Sequence, residues 1–113
     1  MNVLRTLKEL DNYVIGKKQT GKKIGFVPTM GFLHDGHISL INLSNRESDI
    51  TIASIYVNPS QFNEANDFKK YPKDEVNDLM LLDSNFCDAV FIPTQHEIES
   101  LPKVLIDLSG LDK

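Results

Sequence analysis

Two histidines three residues apart, His34 and His37, are the residues best placed to do chemistry in this chain. They follow an apolar stretch at residues 24–27 and a break at Pro28–Gly31, and they precede a second apolar segment that begins at Ile38. A strand that ends at such a turn and continues as a helix gathers free backbone N–H groups and the positive end of the helix dipole. Residues three apart lie on the same side of a helix. This arrangement suits phosphate binding and the stabilisation of charge that develops during attack at phosphorus.

The histidine pair has two competing interpretations. A histidine can simply cap a helix or pack in the core, and two histidines can belong to a zinc site. Zinc would need a third and a fourth ligand, and the other candidates, His96 and Cys87, have no recognisable ligand spacing. The nearby glycines, Gly31 and Gly36, favour a ligand site, because they let the backbone come close to a bulky phosphate. We therefore expect a phosphate site and no metal held by the protein.

The residues around the histidines resemble a known signature. Residues 34–37, with the sequence HDGH, are similar to the HxGH signature of the adenylyl-transferring superfamily, which includes nucleotidylyltransferases and class I aminoacyl-tRNA synthetases. The longer string 27–37, together with 57–62, 67–72 and 91–93, resembles the bacterial pantothenate synthetase family. These strings span nearly the whole chain and are specific in combination.

The resemblance implies an ATP-dependent ligase. In the implied reaction the pantoate carboxylate attacks the α-phosphorus of MgATP to give pantoyl adenylate and pyrophosphate, and β-alanine then displaces AMP to form pantothenate. The implied cofactors are ATP and Mg²⁺, and the resemblance also implies a homodimer. Two alternatives stay open at this point: another adenylyl transferase of the same superfamily, and a non-catalytic nucleotide-binding fragment.

The resemblance assigns the ATP site to the turn and helix start that contain the histidines. The ATP-binding residues that it implies are Met30, Gly31, Phe32, Leu33, His34, Asp35, Gly36 and His37. Two of them are the implied catalytic residues: His37 would stabilise the pentacovalent transition state or donate a proton, and His34 would assist on the phosphates.

The other two substrates are assigned to the string that follows the second predicted strand. Gln61 would hold pantoate, and later β-alanine, through the donor and acceptor ends of its amide. Met30 and Phe62 would form an apolar wall against the gem-dimethyl group of pantoate. Judged from the residues alone, Gln61 could equally satisfy backbone groups of a loop, and Met30 and Phe62 could be ordinary core residues.

Charged residues between positions 67 and 78 are open to two interpretations. The lysines are Lys69, Lys70 and Lys73. They form either a solvated face or a lid that contacts phosphate, and a lysine at 73, where related sequences often carry arginine, makes a bidentate contact there doubtful. The aspartates, which look like solvated or capping carboxylates, are Asp67, Asp74 and Asp78.

Hydrophobic patterning locates the elements that must position these residues. The spacing of Val3, Leu7, Leu10 and Val14 predicts a first helix that ends at Gly16. Strands are predicted at 24–28, 50–57 and 89–92, with a short extra strand at 104–108, helices at 37–45 and 76–86, and a long loop at 58–73. The side chains predicted to face inward from the second and third helices are Ile38, Leu40, Ile41, Val76, Leu79 and Met80.

This alternation predicts a Rossmann-like, doubly wound α/β fold with a parallel sheet. Ligands bind such sheets beyond the carboxyl ends of the strands, where the segments that begin at Met30, Asn58 and Pro93 all lie. In the superfamily the nucleotide sits between the first strand and a fourth strand, which we do not find before Lys113. We therefore expect residues 1–113 to be the N-terminal part of an ATP- and pantoate-binding domain, incomplete and inactive on its own.

Length and composition narrow the remaining possibilities. A chain of 113 residues is one domain or less. The net charge of −4 gives no broad basic face, so we expect no nucleic-acid partner. The single cysteine, Cys87, cannot form an intrachain disulfide and is expected to be packed and inert. No run is apolar enough for a signal or a membrane span, so we expect small-molecule partners, no membrane and a cytoplasmic location.

Overall fold

Strands and helices alternate along the chain, as the patterning predicts. The computed structural model describes residues 1–56, 74–94 and 97. The elements are β1 (Asn2–Leu4), α1 (Leu7–Gln19), β2 (Ile24–Thr29), α2 (Asp35–Glu47), β3 (Ile50–Ile55), α3 (Glu75–Ser84) and β4 (Ala89–Phe91). The predictions for residues 57–73 and 104–108 lie outside the described residues.

The strands form one sheet in the order β1-β4-β3-β2, and every neighbouring pair is parallel. β2 and β3 are in register from Ile24 opposite Ile50 to Thr29 opposite Ile55. β3 is buried along nearly its whole length, because helices cover both faces of the sheet there. The predicted α/β architecture with parallel strands is confirmed. Within the described sheet β2 is an edge strand, which accommodates the missing N–H of Pro28.

The core is divided between the two faces of the sheet. On the face covered by α2 and α3 the buried residues are Val27, Leu33, Ile41, Ala53, Leu82, Cys87, Val90 and Ile92. On the face covered by α1 they are Leu4, Ile50, Ile52, Ala89 and Phe91. Cys87 is packed as predicted, and burial raises the pKa of its thiol. Within the part of the chain that is described, no helix is long and apolar enough to cross a membrane.

The first helix differs from its prediction at both ends. Val3 belongs to β1 and pairs with Val90, so the apolar spacing that starts at Val3 runs across a strand and a helix. α1 begins after Thr6, whose side chain accepts the Glu9 N–H in a capping box. The prediction that Gly16 ends the helix is wrong, because a glycine in a helix interior costs only about 1 kcal/mol.

The inward faces of the other two helices were predicted only in part. Ile41 is fully buried as expected, whereas Leu40 is exposed. On α3, Val76 and Met80 are exposed, and Leu79 is partly buried. The predictions for Leu40, Val76 and Met80 are wrong because the helices turn a different stripe of residues to the sheet. On α3 the buried residues are Asp78 and Leu82.

Candidate active site

The turn between β2 and α2 is attached to the end of β3 by a threonine. The Thr29 hydroxyl donates to the Ser54 carbonyl at 2.8 Å and accepts the Gly31 N–H at 3.1 Å. Gly31 has a φ of 86°, and a Cβ there would lie 3.1 Å from Cγ2 of Ile55. A glycine is therefore needed at this position both for its backbone conformation and for space. The turn lies at the carboxyl edge of the parallel strands, where the sequence predicts a ligand site.

A buried carboxylate on α3 holds the next part of the turn. Asp78 is only 1% exposed. Its Oδ2 accepts the Phe32 N–H at 2.9 Å, and its Oδ1 accepts the Leu33 N–H at 2.8 Å. The expectation that Asp78 is a solvated or capping carboxylate is wrong, since two backbone donors make burial of this side chain tolerable. One signal was present in the sequence, because Asp78 and the buried Leu82 are four apart and share a helix face.

The two histidines cap the same helix. His34 is the N-cap of α2, with extended backbone, and its Nδ1 accepts the Gly36 N–H at 3.1 Å. The Nδ1 of His37 accepts the His34 N–H, also at 3.1 Å. The ring centroids are 4.2 Å apart, with the ring planes tilted by 46°. A Cβ at Gly36 would come within 2.9 Å of Cε1 of His34, so the absence of a side chain there makes room for this ring.

These capping bonds decide which ring nitrogens carry protons. A nitrogen that accepts a backbone N–H is unprotonated, so a neutral ring holds its proton on Nε2. Within residues 1–56, 74–94 and 97, neither Nε2 atom makes a hydrogen bond. The helix-capping interpretation therefore holds for both histidines, and among the described residues it leaves the Nε2–H of each ring without an acceptor.

The charge state of His37 follows from its surroundings. Partial burial lowers the pKa of His37, the neighbouring His34 lowers it further, and the Asp78 carboxylate acts in the opposite direction. The net lowering keeps the His37 ring neutral at neutral pH, since the ordinary pKa of histidine is already about 6.5. His37 is therefore suited to donating a hydrogen bond from Nε2 and is a poor cation.

The predicted ATP-binding residues lie together but are not equally accessible. The exposed ones are Phe32, His34, Asp35 and Gly36, the partly buried ones Met30 and His37, and the buried ones Gly31 and Leu33. The Leu33 side chain packs in the core, so only its backbone can be part of a ligand site. That these residues line an ATP site remains a prediction.

Several other predicted residues fall outside the described part of the chain, namely Asp67, Gln61, Phe62, Lys69, Lys70, Lys73 and His96. Asp74 does cap a helix, because its Oδ1 accepts the Asn77 N–H at the start of α3. Among the described residues, no group of three or more histidine, cysteine, aspartate or glutamate side chains could hold a metal ion.

Sequence reasoning also missed Tyr56, which directly follows β3. Its N–H donates to the Thr29 carbonyl at 3.0 Å, so it extends the junction of the two strands. Its hydroxyl is buried without a hydrogen-bond partner in the described part of the chain, and burial raises the pKa of the phenol. A buried hydroxyl of this kind is uncommon. Nothing in the local sequence distinguishes Tyr56 from an ordinary aromatic residue at a strand end.

Comparison with known proteins places the chain in a family. The family model described as pantoate-beta-alanine ligase matches residues 2–113. The chain is 45% identical over 98 residues to a pantothenate synthetase of Listeria monocytogenes. This match covers 87% of this chain and 34% of that protein. It is 42% identical over 113 residues to a pantothenate synthetase of Thermoanaerobacter sp. (strain X514), covering 100% of this chain and 39% of that protein.

Solved structures agree with these matches. The fold resembles a pantoate-beta-alanine ligase from Francisella tularensis, complexed with beta-gamma ATP and beta-alanine, with a TM-score of 0.80, 41% identity and coverage of 88% of this chain and 38% of that one. It also resembles a pantothenate synthetase from Thermus thermophilus, with a TM-score of 0.70, 35% identity and coverage of 86% and 33%. The chain thus spans about a third of the length of the curated relatives it matches. It belongs to the pantoate-beta-alanine ligase family.

Proposed function

We propose that this chain provides the nucleotide-binding part of an enzyme that condenses pantoate with β-alanine at the expense of ATP. In the proposal, residues 1–113 form the N-terminal part of the ATP- and pantoate-binding domain. Support comes from the family match and from the Francisella relative, which is complexed with beta-gamma ATP and beta-alanine. The observation that carries the proposal is the pair of histidines that cap the start of α2 through Nδ1, with no partner for Nε2 in the part of the chain that the structure describes.

In the proposed first step, the pantoate carboxylate attacks the α-phosphorus of ATP. A bond forms between the carboxylate oxygen and phosphorus, the bond to the bridging oxygen breaks, and pyrophosphate leaves with that electron pair. The start of α2 favours negative charge through the helix dipole. The Nε2–H groups of His37 and His34 would donate hydrogen bonds to the phosphate oxygens as charge builds up on them. Because its pKa is lowered, we assign His37 to hydrogen bonding to the transition state and not to proton transfer.

In the second step, the amine of β-alanine attacks the acyl carbon of pantoyl adenylate, and AMP leaves as the amide forms. Here the protein positions the amine and the mixed anhydride. Gln61 is proposed to hold pantoate and then β-alanine, with Met30 and Phe62 against the gem-dimethyl group. Met30 is partly buried directly after β2, which agrees with a place in the wall of the site.

Mg²⁺ enters the proposal only as the partner of ATP, whose phosphate charge it neutralises. The described residues offer no cluster to hold it separately, and both oxygens of Asp78 are occupied by backbone donors. The homodimer and the cytoplasmic location stay predictions.

The test measures pyrophosphate release by a complete enzyme that contains residues 1–113, with ATP and pantoate in the absence of β-alanine. We expect release that requires both substrates, and pantothenate and AMP in equal amounts once β-alanine is added. Pyrophosphate release that needs β-alanine from the start would contradict the adenylate mechanism. No release under either condition would contradict the proposed activity.

A further inference from the structure

Asp78 joins α3 to the turn that leads into α2. Both of its carboxylate oxygens accept backbone N–H groups of adjacent residues, Phe32 and Leu33, at 2.9 and 2.8 Å. The side chain is 1% exposed, so water does not compete for these bonds. A bidentate bond from one rigid helix to two successive amides fixes both the position and the orientation of that short piece of backbone.

The backbone that Asp78 holds is in a conformation that it would not keep unaided. Gly31 has a φ of 86° and Phe32 a φ of 53°, so two successive residues lie in the left-handed region. For phenylalanine this region is unfavourable, and such residues persist where the surrounding structure enforces them. The absence of a side chain at Gly31 also leaves room for the carboxylate, because a Cβ there would lie only 3.2 Å from Oδ2 of Asp78.

We propose that Asp78 is a positioning residue for the nucleotide site, holding the Phe32 and Leu33 backbone so that α2 begins at His34. The histidine bonds depend on that starting point. His34 must be the N-cap for its ring to accept the Gly36 N–H and for its own N–H to reach His37. This inference rests on the proposed function, since the rings matter only if they contact the nucleotide.

Asp78 also acts on His37 through its charge. In the described part of the chain, the titratable groups that act on His37 are His34, on the same helix, and Asp78, on α3. The Asp78 carboxylate favours the protonated form of His37, so its removal lowers the pKa of His37 further. A neutral side chain of the same shape would have no such influence.

The test compares Asp78→Asn with Asp74→Asn in a complete enzyme that contains residues 1–113. Asparagine at 78 keeps the shape, but its NH₂ group faces a backbone N–H that needs an acceptor. Asp74 caps the same helix at an exposed position, and asparagine is an equally good N-cap. The readouts are KM for ATP, KM for pantoate, kcat and the pH profile of pyrophosphate release.

We expect Asp78→Asn to lower kcat/KM for ATP by about tenfold to 100-fold, the scale of a misplacement of about 1 Å. KM for pantoate should change much less, and the acid limb of the profile should move to lower pH. Asp74→Asn should match the unsubstituted protein. If Asp78→Asn matches Asp74→Asn, or if it only lowers kcat in proportion to the loss of folded protein, the proposal is overturned.

A measurement on the unsubstituted protein covers the case in which the variant does not fold. We expect the amide protons of Phe32 and Leu33 to exchange as slowly as those of β3, because both are held by a buried carboxylate. Exchange as fast as in an exposed turn would overturn the proposal. If these amides are protected and the protein binds ATP but releases no pyrophosphate, then the proposed reaction fails while the role of Asp78 stands.

Discussion

The His37 ring caps the backbone of His34: the Nδ1 of His37 accepts the backbone N–H of His34, and the two rings lie 4.2 Å apart between centroids. Capping and phosphate binding are usually alternative roles for a histidine. In His37 the cap uses Nδ1, so the proposed phosphate contact can use the proton on Nε2 of the same ring. The capping bond at Nδ1 therefore places the ring proton on Nε2. Mutation can separate the capping role of His37 from its proposed role as a hydrogen-bond donor.

We expect His37→Ala to reduce pyrophosphate release by about two to three orders of magnitude, the effect of removing one transition-state donor. His37→Asn is the informative companion, because an amide oxygen near the position of Nδ1 can still accept the His34 N–H while the Nε2–H is lost. Single-turnover rates with ATP and pantoate would measure both variants. If asparagine restored the rate, His37 would serve the helix cap alone.

The stability of the protein should fall on acidification partly through His37. Burial holds the pKa of His37 below the ordinary value of about 6.5. Between the lowered pKa and about pH 6.5, the folded state therefore binds fewer protons than the unfolded state. The contribution of His37 to the free energy of unfolding is complete above about pH 6.5 and is lost as the pH falls through the lowered pKa. The difference in melting temperature between the unsubstituted protein and His37→Asn should be smaller at about pH 5 than at about pH 7.5. Parallel temperature differences at the two pH values would contradict this account.

Gly25→Ala should destabilise the protein by about 1–3 kcal/mol, because the added methyl overpacks the contact between β2 and α2. A Cβ at Gly25 would meet the hydroxyl oxygens of Ser44 and Ser48. Gly16→Ala is the matched control, since nothing lies near its Cβ and alanine stabilises a helix interior by about 0.5–1 kcal/mol. Urea unfolding should give opposite signs for the two variants. If Gly25→Ala left the free energy of unfolding unchanged, the two serine side chains would have to move aside without cost.

Gln61→Ala should weaken pantoate binding and leave ATP binding largely intact, because Gln61 follows a different strand from the histidine turn. Calorimetric titration of each ligand would distinguish the two effects. Loss of ATP affinity with pantoate affinity unchanged would show that the two subsites are placed the wrong way round.

Much of this protein could be predicted from local sequence. The alternation of apolar segments and turns indicated parallel strands with helices between them, because β3 is an apolar run and α2 repeats at the helical period. The residues at 34–37 indicated a helix start with two histidines, because the start of a helix depends mainly on the conformation and capping of residues that are adjacent in the chain. These inferences needed only neighbours in the chain.

Other features depend on partners far away in the sequence. β1 is three residues long, too short to show a period, and exists because β4 pairs with it. Asp78 is buried because the Leu33 N–H, 45 residues away, supplies a donor that no pattern on its own helix reveals. Local sequence thus indicated most of the elements and the position of the histidine turn. Tertiary structure decided which polar groups are buried and which histidine nitrogen is left to meet a ligand, because each buried group requires a partner that only the fold brings within hydrogen-bond distance.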